Sequence, residues 1–207
     1  MTLKYKARAF TLVELLTVIA VLAILAGIMI PTLGGARRSA QRAETRVRFS
    51  QWAIAMEQFR QEYGYYPQID GDGAAANKIA PARFAGALTG RRLDGSSFSS
   101  ATDPDLAGNK RRVTFYTIAE NELSADRSAL ADAFGNTDIA VYYDRNGDGR
   151  ITTADTDGRD PVSVTAGSRS TAPGRDDLDL AGSGVRAGVI FYSAGSGAEG
   201  EIVYSWK

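Results

Sequence analysis

Residues 144–155 read DRNGDGRITTAD and space oxygen-bearing side chains as a hard cation would want them. Asp144, Asn146, Asp148 and Asp155 stand at positions 1, 3, 5 and 12 of a calcium loop, with Gly149 at position 6. Calcium takes about 6–8 oxygens at roughly 2.3–2.6 Å. Alternate positions in a tight loop aim three side chains inward, and Gly149 allows the positive φ of the turn. Arg150 offers its backbone carbonyl, because a guanidinium is no cation ligand. Ile151 is placed to anchor the loop in the core. The cofactor expected on this reading is calcium, and the alternative is an Asp/Gly turn that holds no metal. DGDG at 70–73 is the internal comparison: Asp70 and Asp72 share the spacing, but the twelfth position is Pro81, so the tract reads as a plain loop.

The other chemically pointed residue is Glu14. It is the only charge between Phe10 and Ile30. An unpaired charge in hydrocarbon costs about 2.5–3.5 kcal/mol at mid-bilayer. Glu14 therefore implies either a partner or a snorkelling position at the interface.

The totals narrow the chemistry further. The chain has 207 residues, which suits one domain with an appended helix. Twenty-four basic residues balance 24 acidic ones, so no global field favours nucleic acid, and none is expected as a partner. There is no histidine and no cysteine. That removes histidine-based triads, thiol nucleophiles, zinc thiolates and disulfides. Nothing pairs acids convincingly outside the 144–155 loop, so the chain does not read as an enzyme.

These residues need elements to carry them. Residues 10–30 form an apolar stretch that spans roughly 32 Å as a helix, enough for a bilayer core. Lys4, Lys6 and Arg8 precede it, and a small residue, Ala9, stands just before the apolar run rather than after it. Residues 31–64 read as an amphipathic continuation. Trp52, Ala55, Met56, Phe59 and Tyr63 make its stripe, with Ala43 and Val47 above them. Pro31 should bend or weaken the helix, and Gly64 should cap it. EYGYYPQ, 62–68, then plugs the junction with a head covering residues 65–207. In the head, 70–112 reads as a long irregular loop with a short helix near ARFAGALTG, and VTFYTIA (113–119) and DIAVYY read as strands. Residues 165–184 form a polar loop, in which Asp176, Asp177 and Asp179 are mainly solvated. A terminal hairpin joins Val189–Tyr192 to Ile202–Tyr204, with Trp206 against the sheet. The fold class is α+β: a long N-terminal helix followed by a small antiparallel sheet.

AFTLVELLTVIAVLAILAGIMIP resembles the N-terminus of type IV prepilins and type II secretion pseudopilins. The resemblance covers about 30 residues and is closest to the major pseudopilin. LADAFGN, 130–136, is similar to that protein's DPWGN turn at Asp132, Gly135 and Asn136. The resemblance implies a pilin-like fold and a leader, 1–9, that a prepilin peptidase removes between Ala9 and Phe10. The family usually has glycine where this chain has Ala9. N-methylation of Phe10 is implied as well. Glu14 would then pair with the terminal amine, in its own chain or a neighbour's, and Pro31 would be the helix-bending proline. The function implied is a structural subunit of a type II secretion pseudopilus, a homopolymer built through the N-terminal helix. Its further partners would be minor pseudopilins and the inner-membrane assembly platform. The chain would cross the inner membrane once, with the head in the periplasm. The alternative within the family is a type IV pilus subunit for adhesion, motility or DNA uptake. Five arginines between Arg37 and Arg48 follow the apolar stretch, and positive-residue counting alone would put that side in the cytoplasm. Major pseudopilins also bind calcium in their C-terminal half, which the 144–155 loop would match.

Overall fold

The computed structural model describes residues 10–207, apart from 157, 159, 175, 176, 199 and 200. The side chains of residue 26 and residues 28–33 lie outside that description, as does the whole leader, Ala9 included. The chain is α+β: one long helix, then a small antiparallel sheet. It divides into two compact units, Met1–Ala40 and Gln41–Lys207.

Helix α1 runs Leu12–Tyr63 and passes Pro31 without interruption. It stops because Gly64 takes a left-handed φ of 83°, which costs glycine nothing. The Gly64 N–H closes the last turn on the Arg60 carbonyl at 2.7 Å. In the first unit, Leu12, Val13, Leu15, Leu16, Val18, Ile19, Val21, Leu22, Ile24 and Leu25 are all at least 49 % exposed. Consecutive positions are exposed alike, so the apolar surface runs all round the helix. Among the described residues, no helix is long and apolar enough to cross a membrane. The expected 10–30 span includes residues whose side chains are not described.

In the second unit α1 buries one stripe. Phe49, Trp52, Met56 and Phe59 are fully buried against Phe84, Leu88, Val141 and Phe191. Trp52 packs edge-on to Phe84 at 5.0 Å and to Phe191 at 5.7 Å. The upper stripe departs from expectation: Val47 is 58 % exposed and Ala43 is also exposed. At roughly 100° per residue, Val47 stands about 140° round from Trp52. Thr45 and Arg48 fall on the buried face instead. Arg48 is tolerated there because its guanidinium donates to the Ala131 carbonyl at 2.5 Å and to Glu44 at 2.9 Å.

A short helix, α2 (Pro81–Thr89), forms near ARFAGALTG, with proline in its first turn and Gly90 left-handed at its end. Strands follow at β1 (Ile139–Tyr143), β2 (Val164–Ala166), β3 (Arg169–Thr171), β4 (Val189–Ser193) and β5 (Val203–Tyr204). β1 and β4 pair antiparallel with Val141 opposite Phe191, and β5 adds to β4, giving the order β1-β4-β5. Both β1 and β4 are buried throughout. Their alternating side chains therefore serve two cores. Val141 and Phe191 face α1, while Tyr142 and Tyr192 face a cluster with Ile151, Val164 and Leu180. Trp206 lies against Tyr204 at 4.7 Å, on the sheet as expected.

Two expectations for the head are corrected. Residues 113–119 are not a strand, because the Phe115 and Tyr116 N–H groups both donate to the Leu88 carbonyl at the end of α2. Their rings still pack on the core, which is what the β-type composition reflects. Residues 165–184 are not wholly loop either: β2 and β3 form a hairpin there.

The 131–136 turn ties α1 to the sheet. Asp132, 2 % exposed, accepts from the Phe134 and Asn136 N–H groups, the Asn136 side chain and the Ser193 hydroxyl. Thr45 and Gln41 of α1 bond both backbone groups of Ala133. Arg42 pairs with Glu201 near the chain end at 2.5 Å.

Candidate functional site

Two places carry the expected site residues, one in each unit. At the N-terminus, Phe10 is 74 % exposed and precedes the helix. Thr11 is the N-cap. Its N–H and its hydroxyl both donate to Glu14 Oε2, at 2.9 and 2.7 Å. The Glu14 N–H returns a bond to the Thr11 hydroxyl at 3.2 Å. This reciprocal pair is a capping box, and it satisfies two of the donors that a helix start leaves without partners. The carboxylate also sits where the positive end of the helix dipole favours it. The signature T-x-x-E at 11–14 is readable in the sequence, so Glu14 has a local partner as well as any later one.

The second place is the 144–155 loop. Asp144 ends the bonded run that begins with β1, and its N–H donates to the Gly188 carbonyl. Its carboxylate gathers the loop: Oδ1 accepts from Gly147 and Asp148 at 2.6 and 3.2 Å, and Oδ2 from Gly149 at 2.8 Å. Gly147 and Gly149 both have left-handed φ, 77° and 81°. Asn146 Oδ1 accepts from the Asp148 N–H, and Asn146 Nδ2 donates to Asp148 Oδ2. Asp148 Oδ1 accepts from the Arg150 N–H at 2.8 Å, while the Arg150 guanidinium turns away to the Ser183 carbonyl. Asp155, in a short 3-10 turn at Thr153–Thr156, closes the loop from the far end. Its Oδ1 accepts from Arg145 and Asn146, and its Oδ2 from Thr152. Ile151 is fully buried and pairs with Val185 through two backbone bonds of 2.8 and 3.0 Å.

The loop is thus closed from both ends by Asp144 and Asp155, with Gly149 left-handed and Ile151 buried between them. The donor chemistry also suits a hard cation. The geometry is turned inward on backbone amides, however. Among the described residues, no group of three or more acidic side chains converges as a metal-binding cluster. Of the nearby acids, Asp177 is held by Tyr204 and Lys207, Asp179 caps Gly182 and Ser183, and Asp176 lies outside the described residues.

The comparison with known families bears on the first of these places. Residues 4–30 match the profile of the prokaryotic N-terminal methylation motif. The match takes in Phe10 and Glu14. It supports a type IV pilin-like, prepilin character for this chain. Prepilin-peptidase processing, self-assembly into a fibre and a structural rather than enzymatic role go with that motif. No curated protein and no solved structure matches the chain.

Proposed function

We propose that this chain is a pseudopilin, a structural subunit of a type II secretion pseudopilus that polymerises through α1 to help export folded proteins. The methylation motif at residues 4–30 carries the reading. Three further observations support it. The first unit exposes apolar residues on all sides, and a helix of that kind needs lipid or other helices around it. Phe10 to Ile30 is long enough for a bilayer and holds one charge. The cysteine-free head has a loop of calcium-binding pattern where a disulfide would otherwise close the C-terminal region.

On this reading residues 10–30 anchor the precursor in the inner membrane. Cleavage after Ala9 exposes a Phe10 amine, and the Glu14 of one subunit meets that amine on the next. Calcium would be held by Asp144, Asn146, Asp148 and Asp155 with the Arg150 carbonyl. Asp144 Oδ2 and the two Asp148 oxygens accept one bond apiece and keep a second lone pair for a cation. Asp144 Oδ1 and Asp155 Oδ1 each accept two amides, so binding through them would exchange an amide bond for the cation.

Deleting the gene and comparing the secretome with surface motility tests the proposal. Loss of exported proteins with normal motility is the expected result. Intact secretion with lost motility would assign the chain to a type IV pilus instead. Mass spectrometry of membrane fractions should find a mature, methylated terminus at Phe10.

A further inference from the structure

The arginines that follow the apolar stretch are divided by the fold. Arg42 pairs with Glu201. Arg48 is buried, its guanidinium on the Ala131 carbonyl and on Glu44. Arg46 belongs to the second unit and is exposed. Arg37 and Arg38 stand in the first unit, both exposed, and among the described residues no carboxylate pairs with either. The helix supplies none, because no acidic residue lies between Glu14 and Glu44, and Glu44 holds Arg48. A count of positive residues takes every arginine as free charge; the fold leaves these two uncompensated beside the apolar stretch.

Their position along α1 is set by length. The helix is continuous from Leu12 through Pro31, so residue spacing converts directly to distance. Leu15 to Ala36 carries no charge and spans roughly 33 Å at 1.5 Å per residue, against a hydrocarbon core of about 30 Å. Glu14 and Arg37 thus bracket a bilayer core, one at each edge. Side chains on an α-helix lean toward its N-terminus. Both arginines therefore lean back toward the apolar stretch, with their charged ends at headgroup depth.

The surface beneath them is bare. Gly34 and Gly35 lie three residues before Arg37 and Arg38, on the same faces of the helix. A Cβ at either glycine would meet no neighbouring group within 4 Å. No side chain of these two residues separates the guanidiniums from a ligand that approaches the backbone below. Each guanidinium is a planar fork of five donors, which matches phosphate oxygens bidentately.

We propose that Arg37 and Arg38, with the bare step at Gly34 and Gly35, bind the headgroups of anionic phospholipids at the membrane edge opposite Glu14. The inference rests on the membrane anchoring proposed above and is independent of whether the chain builds a pseudopilus or a pilus. Charge complementarity selects the occupant. Two uncompensated guanidiniums attract a headgroup with net negative charge, whereas a zwitterionic headgroup brings its own cation to the same place. A second copy packed parallel and in register is disfavoured, because it sets arginine against arginine. The one acid of its apolar segment, Glu14, would stand roughly 33 Å away along the helix.

The test reconstitutes the full chain in vesicles of phosphatidylcholine and phosphatidylglycerol. A trace of either lipid carries a photoreactive group near its headgroup, and mass spectrometry maps the crosslinks. On residues 34–41 the phosphatidylglycerol probe should exceed the phosphatidylcholine probe by about tenfold or more. The double variant Arg37→Gln/Arg38→Gln should bring that ratio close to one, with helix content and resistance to alkaline carbonate as in the wild type. Inorganic phosphate at matched ionic strength should leave the ratio unchanged, which separates a headgroup held at the bilayer from a free anion. Equal crosslinking by the two probes, an unchanged ratio in the double variant, or displacement by inorganic phosphate would each overturn the proposal. The wild-type ratio is a test by itself, so a variant that fails to insert does not remove it. A wild-type chain that carbonate strips from the vesicles would end the membrane reading and this proposal with it, whereas an inserted chain with equal crosslinking would end this proposal alone.

Discussion

Thr11 and Glu14 hold each other at the start of α1: two Thr11 donors meet Glu14 Oε2, and the Glu14 N–H returns to the Thr11 hydroxyl. The acid in the apolar segment is therefore partnered before any second chain arrives. Thr11→Val should remove the hydroxyl bonds at a cost of about 1 kcal/mol to the first turn. Hydrogen exchange at residues 12–15 should speed up by roughly fivefold, whereas Thr11→Ser should leave it unchanged.

Glu14→Gln separates capping from charge. Glutamine serves the third helical position of a capping box as glutamate does, so exchange at the first turn should stay near wild type. The positive Phe10 amine would lose its partner, and fibre yield by electron microscopy should fall at least about tenfold. Undiminished fibres in this variant would confine Glu14 to capping.

Asp132→Ala should be among the most damaging substitutions in the head. It strands four donors around a site that is 2 % exposed. A loss of about 2–4 kcal/mol is expected. Asp132→Asn should cost less, since one oxygen still accepts while the new amide faces donors. Urea unfolding of the solubilised chain gives both values.

Glu201 makes the head sensitive to acid. Burial pushes its carboxyl up, but the Ser196 hydroxyl and the Arg42 guanidinium outweigh burial and hold it below the ordinary range. A depressed carboxyl stabilises the fold above its unfolded pKa, roughly 4.3, and the contribution fades as pH drops through the folded value. The stability gap between wild type and Glu201→Gln should therefore be full at pH 7 and shrink toward pH 3. Thermal melts across that range measure it.

Calcium should raise the melting temperature of the full chain in detergent relative to chelator, by about 2–8 °C if binding adds roughly 1–2 kcal/mol. Asp155→Ala should erase the shift. Magnesium should do less, because it wants a tighter octahedral shell. Identical midpoints with calcium and with chelator would leave the loop as an amide-closed turn.

Local pattern made much of this protein readable from its residues. The glutamate in an apolar run, the T-x-x-E cap and the aromatic stripe from Trp52 to Tyr63 are each written within a few helical turns. The D-x-N-x-D-G spacing and the two strands of the terminal hairpin are equally short-range. Short-range hydrogen bonding and periodicity govern such features, so neighbouring letters suffice. What lay beyond reading depends on residues far apart in the chain. VTFYTIA has strand composition, but its amides are taken by the Leu88 carbonyl. Asp70 looked like loop filler, and only folding brings it to Tyr143 and Arg145, over 70 positions away. The Asp132 turn likewise gains its meaning from Ser193 and Thr45. Burial decides these cases: once water is excluded, a polar group must find whichever partner the fold delivers, and no local spacing records which one that is.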